Sequence, residues 1–122
     1  MLKSRQFIIA KGSIIVSDSI IGGWSIYSGV WIKAGGFIIA RKGSITAVEY
    51  IVADGPIIAY SWITCNKKIE AGQSIWAGEY IKALEIYAGF NSLGDWEKEI
   101  IKTKKIEGDI INGTPVIIES IM

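Results

Sequence analysis

The sequence has no histidine, one cysteine and only two prolines among its 122 residues. Each shortage removes a class of chemistry. Without histidine the chain has no side chain that titrates near neutrality by default, so general acid–base catalysis loses its commonest agent. Cys65 alone excludes an internal disulfide, and nothing in the chain calls for an oxidising compartment. With no histidine and one thiol, only scattered carboxylates remain as metal ligands, so neither a metal nor a cofactor is expected. Long apolar runs are missing too: none approaches the ~20 residues of a membrane-spanning helix. Lys3 and Arg5 precede just four apolar residues, 7–10, before Lys11, too few for a secretory signal. No block of like charge marks a disordered tail. The expectation is one cytoplasmic domain with no membrane partner.

What the chain does have is a period. Isoleucine falls at positions 8, 14, 20, 26, 32 and 38, slips by one residue after Gly43, and resumes at 45, 51, 57, 63, 69, 75 and 81. A last unit at Ile86 arrives one residue early. Two positions after each isoleucine stands a small residue, as in Ala34, Ala40, Ala47, Ala53 and Ala59. Residues i and i+2 of a strand share a face, so each unit sends one isoleucine and one small side chain inward. Glycine often follows, where the chain must turn. A helix would split each pair between faces, and the glycine density opposes it further.

The unit therefore reads as short strand, corner, short strand, the signature of an all-β parallel β-helix, or β-solenoid. Three units per coil align the small or polar corners Ser17-Asp18, Gly35-Gly36, Asp54-Gly55 and Gly72-Gln73; two units per coil would mix them with Val48-Glu49 and Tyr60-Ser61. A coil of three units then takes about 18 residues. On that spacing nearly five coils fit between positions 1 and 90. After Phe90 the period stops. Residues 91–95 read as a turn, and the remainder to 122 as two or three strands with a turn near Asn112-Gly113-Thr114-Pro115, forming a C-terminal β cap of the same domain.

The pattern resembles hexapeptide-repeat β-helix proteins, whose units also place two inward residues at i and i+2 before a glycine. The large-then-small order here reverses that of the left-handed family. Across residues 19–107 the chain is also similar to short bacterial and phage-type proteins built of tandem I-K-A-G-x-x units. Ile32-Lys33-Ala34-Gly35 is that unit in full, Ile69-Glu70-Ala71-Gly72 is a close variant, and Tyr80-Ile81-Lys82 matches the stretch before their non-repeat ends. Those resemblances imply a fold. Many hexapeptide β-helices are acyltransferases with a histidine base, and this chain has no histidine.

Function must then lie on the outside. The residue after each repeat isoleucine points outward, and nine of these fourteen are apolar or aromatic, many for a solvated surface. At three-unit spacing, Ile21, Ile39, Ile58 and Trp76 fall in one ladder on one face. That ladder is the candidate protein interface, most simply of a homodimer. β-propensity alone would also place Ile, Tyr and Trp there. The tryptophans and tyrosines fit either partner anchoring or packing over corners. Charge is uneven: residues 1–48 carry six bases against Asp18, net +5, and residues 49–122 carry seven bases against eleven acids, net −4. Scattered bases and a near-neutral total argue against nucleic acid.

Other chemistry finds little footing. Cys65 occupies a small inward slot and reads as a filler. Asp95, Glu97, Glu99, Glu107 and Asp109 read as a solvated cap face rather than a catalytic carboxylate pair. Thr46 and Thr64 stack without continuing into an ice-binding array. The expected function is that of a non-catalytic binding or structural protein, with a phage-type inhibitor of a bacterial defence protein as its concrete form. A degenerate acyltransferase-like enzyme or small-molecule binder, and a filament subunit, are the alternatives.

Overall fold

The computed structural model describes residues 1–89 and 99–118. The turn expected at residues 91–95, and Asp95, Trp96 and Glu97, lie outside the described residues. The chain is a parallel β-solenoid of about six coils. Coil one holds β1 (Leu2–Ser4), β2 (Ile8–Ala10) and β3 (Ile14–Val16); coil two holds β4 (Ile20–Gly22), β5 (Ile26–Ser28) and β6 (Trp31–Ala34). Coil three comprises β7 (Ile38–Ala40), β8 (Ile45–Ala47) and β9 (Tyr50–Ala53), and coil four β10 (Ile57–Ala59), β11 (Trp62–Thr64) and β12 (Lys68–Ala71). Coil five is β13 (Ile75–Ala77) with the long β14 (Tyr80–Ala88), and coil six is β15 (Ile100–Thr103) with β16 (Lys105–Asn112). A last strand, β17 (Thr114–Ile117), begins another turn.

Every strand pairs in parallel with its counterpart one coil away, Ile20 beside Ile38 and Ile57 beside Ile75. The first face is the seven-stranded ladder β1-β4-β7-β10-β13-β15-β17. The other two faces form a single sheet because β14 belongs to both, pairing with β11 through Tyr80 and Ile81 and with β12 through Glu85 and Ile86.

The core is the inward half of the pattern. Twelve isoleucines from Ile20 to Ile86 are fully buried, with Ala53, Ala71 and Ala88 closing the space between them. Fully burying one isoleucine contributes roughly 1.5–3 kcal/mol, which outweighs the roughly 0.5–1 kcal/mol a glycine costs in backbone entropy. This is why a chain so rich in glycine holds its fold. The inward hydroxyl of Ser28 is satisfied: it lies 2.7 Å from the Gly12 carbonyl and 2.8 Å from the Trp31 carbonyl, and accepts the Val30 N–H.

Three irregularities of the period have structural causes. The residue added at Gly43 is absorbed in the corner between β7 and β8, so Ile26 still pairs with Ile45, one position later than the regular spacing would put its partner. The residue missing before Ile86 removes a corner, and β14 runs unbroken for nine residues. Past residue 90 the solenoid continues. Ile75 pairs with Ile101, well beyond the regular distance, so the period is interrupted by an insertion and then resumes. Within the segment 91–122, expected as a C-terminal β cap with a turn near residues 112–115, residues 100–117 extend the stack: β15, β16 and β17 all add in parallel. Extra residues at a corner break a sequence period without breaking a backbone ladder, because strand pairing depends on the strands alone.

Candidate binding face

The register of the first face settles the outward ladder. Lys3 pairs with Ile21, Ile21 with Ile39, Ile39 with Ile58, Ile58 with Trp76, Trp76 with Lys102, and Lys102 with Val116. An inward isoleucine and a small residue flank each position from Ile21 to Lys102, so alternation turns the middle side chain out. The structure thus brings all four residues selected from the sequence into one row, with Lys3 before them and Lys102 and Val116 after.

Their environments differ. Trp76 is 43% exposed and Ile39 and Ile58 are half-buried, whereas Ile21 is only 8% exposed. Ile21 sits in the lining of a cleft with Trp24, Arg5 and Arg41, so its own chain covers most of it. The open part of the face lies further along the stack. There Ile58, Tyr60, Trp76, Lys102 and Ile118 line an apolar groove of about 350 Å³. Lys102 Nζ stands 4.8 Å from the centre of the Trp76 indole, a cation–π contact that fixes the ring. Ile118 and Lys102 escaped sequence reasoning, because the inserted residues hide that coil six belongs to the ladder.

The remaining aromatic residues mostly brace one coil against the next. Trp62 stacks on Tyr80 at 5.6 Å, Trp31 meets Tyr50 edge-on at 6.1 Å, and Phe7 stacks on Trp24 at 6.4 Å. Such pairs are worth about 0.5–1.5 kcal/mol beyond their burial, so packing accounts for them. The outward row of the second face turns polar: Thr64 Oγ1 lies 3.4 Å from Thr46 Oγ1, and Glu107 pairs with Lys82 at 3.8 Å and Lys105 at 2.9 Å. The hydrogen bond from Lys105 and its charge hold the Glu107 carboxyl below its ordinary value. The pair is exposed and adds little stability.

Cys65 is buried in the inward slot that Ala47 and Ala83 fill one coil to either side, and burial pushes its thiol up to about 11. A protonated, covered thiol is a poor nucleophile. Among the described residues no group of three histidine, cysteine or carboxylate side chains is placed to hold a metal ion, and no helix is long and apolar enough to cross a membrane. No protein-family model, no curated protein and no solved structure matches this chain.

Proposed function

We propose that this chain is a non-catalytic, rigid binding protein that self-associates through the first face of the solenoid, around Ile39, Ile58 and Trp76. The apolar groove beside Ile58 and Trp76 carries this reading. A second copy is the simplest occupant, because a straight ladder is complementary to itself about a two-fold axis. With the axis at Ile58, Trp76 of one copy meets Ile39 of the other. Two sheets packed face to face would then bury residues that a solvated strand rarely presents. A core already filled by isoleucine and alanine, and a sequence without histidine, support binding over catalysis.

The resemblance to hexapeptide-repeat and phage-type proteins supports a finer version, in which the dimer presents a further surface to a bacterial defence protein and inhibits it. The charge asymmetry along the stack supplies one such surface. Absolute mass from light scattering at low and high salt tests the self-association. The expected result is a discrete dimer insensitive to salt, which Ile58→Lys splits into monomers of unchanged circular dichroism. A wild-type monomer at high protein concentration overturns the proposal.

A further inference from the structure

Lys3, Arg5, Arg41 and Lys42 line a single cleft of about 190 Å³ on the edge of the first three coils, together with Ile21 and Trp24. No lining residue is acidic. Among the described residues, none of the four cations is in an ion pair. Elsewhere three lysines have carboxylate partners, Lys68 with Glu70 at 3.3 Å along one strand, Lys105 with Glu107 at 2.9 Å along another, and Lys82 with Glu107 at 3.8 Å across coils. Four uncompensated positive charges held together repel one another, and an anion placed among them relieves that repulsion.

The fold holds the cleft open. Three stacked corners are tied by main-chain bonds: Gly23 N–H to the Ser4 carbonyl at 2.7 Å, Trp24 N–H to Gln6 at 3.3 Å, and Arg41 N–H to Gly22 at 2.9 Å. The middle corner opens at Gly23, directly after β4, and sets no side chain between Arg5 on one coil and Arg41 on the other. At Gly23 a Cβ would fall on the Arg5 carbonyl, so the tight approach requires glycine. The residue inserted at Gly43 lengthens the third corner by one position, and Arg41 and Lys42 stand on it side by side. Lys42 Nζ lies 5.6 Å from the centre of the Trp24 indole.

We infer that this cleft is a binding site for the phosphate group of a small phosphorylated molecule. Two guanidinium groups offer paired N–H donors matched to tetrahedral oxyanions, and two lysines add charge without geometric demand. Four formal charges exceed what one carboxylate neutralises, and favour an anion of charge two or more. The volume lies below the ~300 Å³ at which small-molecule pockets begin, so the cleft takes the anionic group and leaves the rest of the ligand outside. A nucleic acid strand would need the positive charge to continue along the stack. The same corner carries Tyr60 and Ser61 in coil four and Gly78 and Glu79 in coil five, so the cationic track ends.

Titration of the full chain with inorganic pyrophosphate, followed by calorimetry and tryptophan fluorescence, tests the site. Saturable binding at one site per chain is expected, weakened at least tenfold in Arg5→Gln/Arg41→Gln and unaltered in Lys33→Gln, a lysine on another face. Trp24→Phe should abolish the fluorescence response while the calorimetric signal persists. Binding that is absent, or equal in the double variant, overturns the site. Tighter binding of a twelve-nucleotide single strand than of pyrophosphate, or of vesicles containing phosphatidic acid, overturns the assignment to a small ligand. The exposed corner positions of Arg5 and Arg41 leave the core intact, and circular dichroism of the double variant confirms it.

Discussion

Thr103 is fully buried, and its hydroxyl has no hydrogen-bond partner among the described residues. It occupies the inward small slot of coil six, in line with the alanines of earlier coils. A buried hydroxyl without a partner costs about 1–3 kcal/mol relative to one that is bonded. Thr103→Val keeps the shape and removes the penalty, so its urea denaturation midpoint should rise by the equivalent of about 1 kcal/mol. A lower midpoint would show that the hydroxyl is bonded after all. Cys65 makes the opposite case, a polar atom whose neutral form the fold favours. Its thiol is pushed from 9.0 up to about 11, so folding is favoured fully below pH 9 and this contribution is lost as pH rises through about 11. Between those values the wild type should lose on the order of 2 kcal/mol more stability than Cys65→Ala. Parallel slopes for the two proteins in alkaline denaturation series would contradict this.

The pairing of β14 with β16 depends on one glycine. The missing corner lets β14 run straight, and β16 follows it with shifts in register between Lys82 and Glu85 and between Ile86 and Tyr87. Gly108 absorbs the first shift at a φ of 133°, with its α-carbon against the Ala83 carbonyl. A Cβ there meets both a forbidden backbone conformation and that oxygen. Gly108→Ala should cost about 2 kcal/mol or more and strip hydrogen-exchange protection from residues 105–112, leaving coils two to four protected. Loss of protection throughout the stack would instead show that the coils unfold as one unit.

For the whole molecule, the two ends of the stack decide between a discrete particle and a fibre. Parallel coils leave one edge of unpaired backbone at each end, and head-to-tail addition is the natural way to pair both. On β17 the Thr114 and Ile118 amides donate back to Glu99 and Thr103, so by alternation Pro115 and Ile117 face away from β15. Proline has no N–H to offer an added coil and its ring blocks close approach. Among the described residues, Pro115 thereby disfavours the pairing of a further strand against β17. Pro115→Val restores the donor, and in light scattering at rising concentration it should give species larger than the wild type's. An unchanged mass would assign the block to other residues of that end.

The inward pattern was legible from the sequence alone, because burial in a strand is a local property with a period of two and the repeat unit adds a period of six. An isoleucine and a small residue at fixed spacing determine which way each strand faces wherever it pairs. The outward ladder Ile21, Ile39, Ile58 and Trp76 followed from the same arithmetic. Tertiary structure decided what that arithmetic could not carry. A coil can close at the regular spacing, as from Ile20 to Ile38, one position late, as from Ile26 to Ile45, or much later, as from Ile75 to Ile101. Which of these occurs depends on how much chain a corner holds, and corners leave no period behind. Coil six and the groove at Trp76, Lys102 and Ile118 therefore stayed hidden. Exposure was settled there as well, since Ile21 is covered by side chains from neighbouring corners. The cationic cleft has the same origin: Arg5 and Arg41 lie far apart in the chain, and stacking of three corners brings them to one site.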